Sequence, residues 1–149
     1  MISASDVWSY VWGKSIYRST DYYHFFFREV QAHQVFMWLW KSKCTMQWKM
    51  FAWLLLAAPL NTRNILRRRH YKIQDDDYTC LLCHNQPEED VEHLFFNCPF
   101  SQRCWDSIGV QWPMADDRLE LLHAGKISWG GPMFMEVFTV AAWGIWKER

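Results

Sequence analysis

Apolar residues recur at helical spacing in several stretches of this chain, and those stretches predict its elements. Ile2 to Gly13 carries Trp8 and Trp12 with Val7 and Val11 beside them, and Gly13 is placed to end that element. Ser15 to Ala32 reads as a helix with a broad stripe of Ile16, Tyr17, Tyr23, Phe26, Phe27 and Val30. Aromatics at such spacing are expected in a core. Val35 to Trp40 is apolar but too short to assign, and Lys41 to Gln47 is a polar connector. Trp48 to Ala58, rich in Leu, Ala and Met, gives the strongest helix signal, buried on most sides and stopped by Pro59. Asn61 or Thr62 can then cap a helix running through Arg69 or His70, with Ile65 and Leu66 inward. Further on, Leu119, Leu121 and Leu122 mark a short helix over Met114 to Ala124, and Ser128 to Pro132 is turn chemistry. The last element, residues 131–148, is an amphipathic helix carrying Phe134, Val137, Phe138, Ala141, Ala142, Ile145 and Trp146. It either closes the core or offers a face to a protein partner or a second copy.

Composition narrows the class. A chain of 149 residues is one domain by size, long enough to bury a core, and with 50% apolar residues and 11 Trp it is not an extended disordered segment. No basic stretch followed by an apolar one opens it, so no leader is expected. The longest apolar run, Phe51 to Leu60, is half the length that spans a bilayer. A reducing intracellular compartment, nucleus or cytoplasm, is the expectation.

Charge changes the picture more. The net charge is zero, yet residues 31–72 hold Lys41, Lys43, Lys49, Arg63, Arg67, Arg68, Arg69 and Lys72 with no acid, while residues 73–149 are strongly acidic. A basic helical part spanning 41–72 suggests contact with nucleic-acid phosphates, unless the two halves neutralise each other in the fold. Two helices around Pro59-Leu60-Asn61 also have the outline of a helix-turn-helix, although arginines near a helix end equally complement its carboxyl-terminal partial charge. Gly13-Lys14-Ser15 lacks the first glycine of a phosphate loop, since Trp8 stands there. Asp75, Asp76 and Asp77 read as solvated surface.

The specific chemistry lies in residues 78–105. Cys80, Cys83, His93 and Cys98 form the pattern Cys-x2-Cys-x9-His-x4-Cys. Three thiolates and an imidazole suit one tetrahedral zinc ion, and four protein ligands leave no open position for a substrate. On an unbroken helix His93 and Cys98 would point about 140° apart. Pro99 removes the difficulty, because the residue before proline leaves the α region and proline favours the first position of a helix. Glu92 to Asn97 is therefore predicted as a helical turn, Cys98 as a break and Pro99 as the start of a new helix. The fold class that follows is mainly α, a small helical domain organised around a single structural Cys3His zinc knuckle.

The flanking residues carry a resemblance. Leu39-Trp40-Lys41-Ser42-Lys43, Trp48-Lys49-Met50-Phe51-Ala52-Trp53-Leu54-Leu55-Leu56 and Leu60-Asn61-Thr62-Arg63-Asn64-Ile65-Leu66 precede Cys80-Leu81-Leu82-Cys83. Val91-Glu92-His93-Leu94-Phe95-Phe96-Asn97-Cys98-Pro99 and Cys104-Trp105 follow. Together they resemble the zinc-binding domain that follows the reverse transcriptase in plant non-LTR (LINE-type) retrotransposons, firmly over residues 38–112. The resemblance implies zinc ligation by Cys80, Cys83, His93 and Cys98. Thr45-Met46-Gln47 stands where that family usually has a Pro-Pro-Lys-like turn, and no polymerase, endonuclease or ribonuclease H signature is present. The expectation is an accessory domain without its enzyme: non-catalytic, with one structural zinc, binding RNA or DNA through the basic part. The alternative is a retroelement-derived protein-interaction module acting through aromatic surface near Trp129 to Trp146.

Overall fold

A computed structural model describes residues 9–57, 60–83, 87–115 and 117–149. The chain divides into two compact units, Met1–Ala32 and His33–Arg149.

In the first unit, Ile2 to Trp8 of the first expected element lie outside the described residues. Its remainder is a hydrogen-bonded turn rather than a helix: the Gly13 N–H donates to Tyr10 O (2.7 Å), with Gly13 at φ 82°. Helix α1 covers Ser19–Phe26 only, short of the predicted Ser15 to Ala32. The aromatic stripe expected in a core is instead exposed: Ile16, Tyr17, Tyr23, Phe26, Phe27 and Val30 all face solvent, and α1 buries no residue. A helix of this length with no packed face lacks the tertiary support that would extend it.

The second unit is built from α2 (Gln34–Lys41), α3 (Met46–Ala57), α4 (Arg63–Arg68), α5 (Pro99–Ser107), α6 (Arg118–Trp129) and α7 (Phe134–Glu148). Val35 to Trp40 thus resolves as helix, with Val35 and Leu39 buried. In α3, Phe51, Ala52, Leu55 and Leu56 are buried against α7, which contributes Phe134, Met135, Phe138, Ala142 and Ile145. The apolar face of α7 is therefore used inside the unit. Trp129, Trp143 and Trp146 pack partly buried against the same core. Helix α6 begins later than predicted because Asp117 caps it, its carboxylate accepting the Leu119 N–H (3.1 Å), and it runs to Gly130, a left-handed cap at φ 69°. Among the described residues no helix is long and apolar enough to cross a membrane.

Aromatic rings tie the segment around Cys98 to this core. Phe95 meets Phe51 at 6.2 Å and stacks on Trp146 at 6.3 Å, while Trp105 of α5 stacks on Phe138 at 5.7 Å. Such ring pairs contribute about 0.5–1.5 kcal/mol each beyond the area they bury.

Candidate metal centre and basic surface

Two local structures supply the four expected ligands. Thr79 and Glu88 form an antiparallel bridge, flanked by Cys80 N–H to Pro87 O (2.9 Å) and Glu89 N–H to Tyr78 O (3.0 Å). This pairing brackets the tight Cys80–Cys83 turn. Asp77 fixes the entry, its carboxylate accepting from the Thr79 N–H and hydroxyl at 2.9 and 2.7 Å. Those bonds lower the Asp77 pKa.

The second structure begins at Asp90, whose carboxylate accepts the His93 N–H (2.7 Å) and caps a helical turn. From His93 to Asn97 that turn widens, and the Cys98 N–H closes back on His93 O at 2.6 Å across five residues. Cys98 is extended, at φ −66° and ψ 129°, and Pro99 opens α5. The break predicted from Pro99 is present. The widened turn does the rest, bringing residue 98 back over residue 93, as such bulges often do at functional sites. Two carbonyls within it are satisfied by residues of α5: Ser101 Oγ donates to Leu94 O, and Trp105 Nε1 donates to Phe95 O (2.6 Å).

The side chains converge. One ligand atom from each of Cys80, Cys83, His93 and Cys98 lies within 4.8 Å of all the others. The Cys80 and Cys98 sulfurs are 4.0 Å apart, and Cys83 Sγ is 3.3 Å from His93 Nε2. Bonds of 2.3 Å to sulfur at tetrahedral angles place two sulfurs about 3.8 Å apart, so the cluster has the dimensions of a zinc site. The 4.0 Å sulfur separation is about twice a disulfide bond, and the cysteines are free. Burial, reinforced by the neighbouring Cys98 and Cys83, pushes the Cys80 thiol up to about 12 even though the Leu82 N–H opposes it. Three thiolates gathered there need a cation. The donor set fits one zinc ion, which would cross-link the hairpin to the widened turn.

Among the described residues no other group of His, Cys, Asp or Glu is arranged for a metal. Asp75, Asp76 and Asp77 are exposed. Cys104 lies close enough to Cys98 for their charges to interact, but its thiol is raised mainly by burial.

The eight basic residues fall into two groups. Lys41 and Lys43 are exposed at the end of α2, in a recess of about 260 Å³ that Lys126 also lines. Sequence reasoning missed Lys126 because it stands in the acidic half. Lys49 is turned inward to the α2 terminus, donating to Trp40 O (2.9 Å). In the second group, Arg63 is held by the knuckle: its guanidinium donates to Asp77 O (2.7 Å) and Thr79 O (3.3 Å). Arg67 pairs with Glu88 at 3.4 Å and lies over the Tyr78 ring, and Arg69 donates to Asn61 Oδ1 (2.8 Å). Arg68 and Lys72 are exposed. The neutralisation weighed from the sequence is thus real for Arg63 and Arg67. Helix α4 has only six residues, about 9 Å, too short for the recognition helix of a helix-turn-helix.

The expected side-chain cap of α4 is absent. Thr62 makes no cap bond, and the buried carboxylate of Glu89 accepts the Arg63 N–H instead (3.0 Å).

The family model described as zinc-binding in reverse transcriptase matches residues 17–105, more than half of the chain. No curated protein and no solved structure gives a match. Helices α6 and α7 lie beyond the matched residues yet complete the core around them.

Proposed function

We propose that this chain, which belongs to the family of zinc-binding domains in reverse transcriptases, is a retrotransposon-derived, non-catalytic domain that binds RNA or DNA through phosphate contacts. The carrying observation is the run Arg67-Arg68-Arg69-His70-Tyr71-Lys72, exposed along its whole length where a helix anchored to the zinc knuckle ends and the chain turns away. The ion holds the hairpin, the hairpin holds Arg63, and Arg63 opens the helix that presents the run. With all four ligand positions on the protein, no site is left at the ion for a substrate. Lys41, Lys43 and Lys126 offer a second patch for the same backbone, while Arg63 and Lys49 serve the fold.

Titrating a labelled oligonucleotide at several salt concentrations tests this. Four phosphate contacts by Arg67, Arg68, Arg69 and Lys72 predict a roughly 50- to 150-fold loss of affinity between 50 and 200 mM salt. Absent binding, or a loss below about twofold, overturns the phosphate reading.

A second reading has its own observation. Tyr10, Tyr17, Tyr22, Tyr23, Phe26 and Phe27 are exposed together in the Met1–Ala32 unit. Apolar surface of that kind suits a protein partner. Replacing Tyr23 and Phe27 by Ser would then abolish association with that partner while leaving the salt-dependent binding intact, and unchanged association would refute it.

A further inference from the structure

The end of α4 is built as a rigid platform with an uncovered aromatic ring. His70 takes a left-handed conformation at φ 59°, which is unfavourable for a residue other than glycine. Around it the His70 N–H donates to Arg67 O (2.9 Å) and the Tyr71 N–H to Leu66 O (3.0 Å). These are the paired bonds of a Schellman cap, with a histidine where glycine is usual. From the other side, the Tyr78 hydroxyl donates to Tyr71 O (3.0 Å). The Tyr71 backbone is held from two directions while the residue stays 65% exposed. Packing does not account for that ring.

Its surroundings are cationic, and their geometry discriminates between partners. Arg67, Arg68 and Arg69 are consecutive, so their side chains leave α4 about 100° apart and fan around its end. Residues one apart on a helix do not share a face, and a fan cannot lie along one groove of a duplex. A flexible strand can wrap it. Arg67 pairs with the exposed Glu88 at 3.4 Å and lies over the Tyr78 ring, and Arg69 is engaged by the exposed Asn61 at 2.8 Å. Exposed surface contacts of this kind are weak and exchange readily for a phosphate. The exposed Asp75 and Asp76 on the next turn set the acidic edge of the surface.

We infer that this platform binds single-stranded RNA or DNA in preference to duplex, with a base stacked on Tyr71 between phosphates held by Arg68 and Lys72. This rests on the nucleic-acid reading above and names the form of nucleic acid. The test is anisotropy titration of the zinc-loaded full chain with a strand of about twelve nucleotides, as RNA and as DNA, against the same sequence as a duplex. Wild type, Tyr71→Ala and Tyr71→Phe are compared. Single strands bind wild type about tenfold tighter than duplex. Tyr71→Ala loses roughly 5- to 100-fold on single strands, keeps its duplex affinity and salt slope, and Tyr71→Phe retains wild-type binding. A preference for RNA over DNA within the single strands would add a contact to the 2′-hydroxyl and still support the platform. Equal affinity for strand and duplex, or an equal loss on both in Tyr71→Ala, overturns this inference and leaves the phosphate reading standing. No binding to any probe overturns both.

Discussion

Glu89 is the most consequential residue outside the metal cluster, and removing it tests how the knuckle is joined to the rest of the fold. It is 0% exposed. Its Oε1 accepts from Arg149 Nε at 2.6 Å and from the Arg63 N–H at 3.0 Å, and its backbone carbonyl accepts the Asn64 N–H at 3.0 Å. Arg149 also donates to Asn61 O (3.1 Å) and lies 4.2 Å over the Trp146 ring. One carboxylate therefore joins the hairpin of the zinc knuckle, the start of α4 and the end of α7.

Glu89→Ala leaves a nearly buried guanidinium without its counter-charge and the first N–H of α4 without an acceptor. Breaking a buried pair from one side costs about 3–5 kcal/mol, and losing a helix-capping acceptor about 0.5–2 kcal/mol. The two losses share one oxygen and do not add. Because the Arg149 side chain keeps 15% of its exposure, the low end applies, about 3 kcal/mol. For a chain of this size that lowers Tm by roughly 6–12 °C. Glu89→Gln keeps an acceptor for both donors and loses only the charge, so about half the effect is expected. Urea denaturation of the zinc-loaded protein, followed by tryptophan fluorescence, measures both variants. A double-mutant cycle with Arg149→Met isolates the pair and should return a coupling above about 1 kcal/mol. A cost below about 1 kcal/mol for Glu89→Ala, or no coupling to Arg149, would show that the clasp does not hold the knuckle.

Other outcomes follow from the metal centre. Zinc should bind one to one, and chelating it should unfold at least residues 78–105, since such sites carry roughly 10–16 kcal/mol of apparent folding energy. A chain that keeps its near-ultraviolet circular dichroism after chelation would contradict a structural role. At pH 7 the Cys80 thiol keeps its proton both in the unfolded metal-free segment, with its ordinary 9.0, and where the segment closes without metal, burial then raising it to about 12; closing without metal is therefore penalised only as pH rises past 9.0 toward 12. Metal uptake must displace that proton, so zinc affinity should fall from pH 8 to pH 6 in competition with a chelating indicator, and a flat profile would exclude thiolate ligation. Ser101→Ala removes the only side-chain donor to Leu94 O that the described structure shows, in a fully buried position, and should cost about 1–3 kcal/mol by urea denaturation. No measurable loss would mean that the widened turn does not depend on the Ser101 hydroxyl.

What could be read from the sequence, and what could not, divides by the range of the interaction responsible. The convergence of Cys80, Cys83, His93 and Cys98 was legible because coordination restricts residue type and spacing directly, and Pro99 announced the break at Cys98 because its ring acts on the residue beside it. The widened turn behind that break was not legible. It is completed by Ser101 and Trp105, which read as ordinary helix residues until their partners on Leu94 and Phe95 are seen. Thr62 looked like a local cap, but a carboxylate 26 residues away took the Arg63 N–H. The stripe on α1 has the right period for a core, and periodicity cannot say whether anything covers it. The same distinction governs the basic segment. Eight cations without an acid between residues 31 and 72 are a sequence fact, yet tertiary contacts commit Arg63 to the knuckle backbone and Lys49 to Trp40 O at the end of α2. The charges left for a ligand are therefore fewer and more localised than the composition suggests. They gather where the chain turns at His70, and the exposed ring at that turn makes the end of α4, rather than the basic segment as a whole, the place to test for binding.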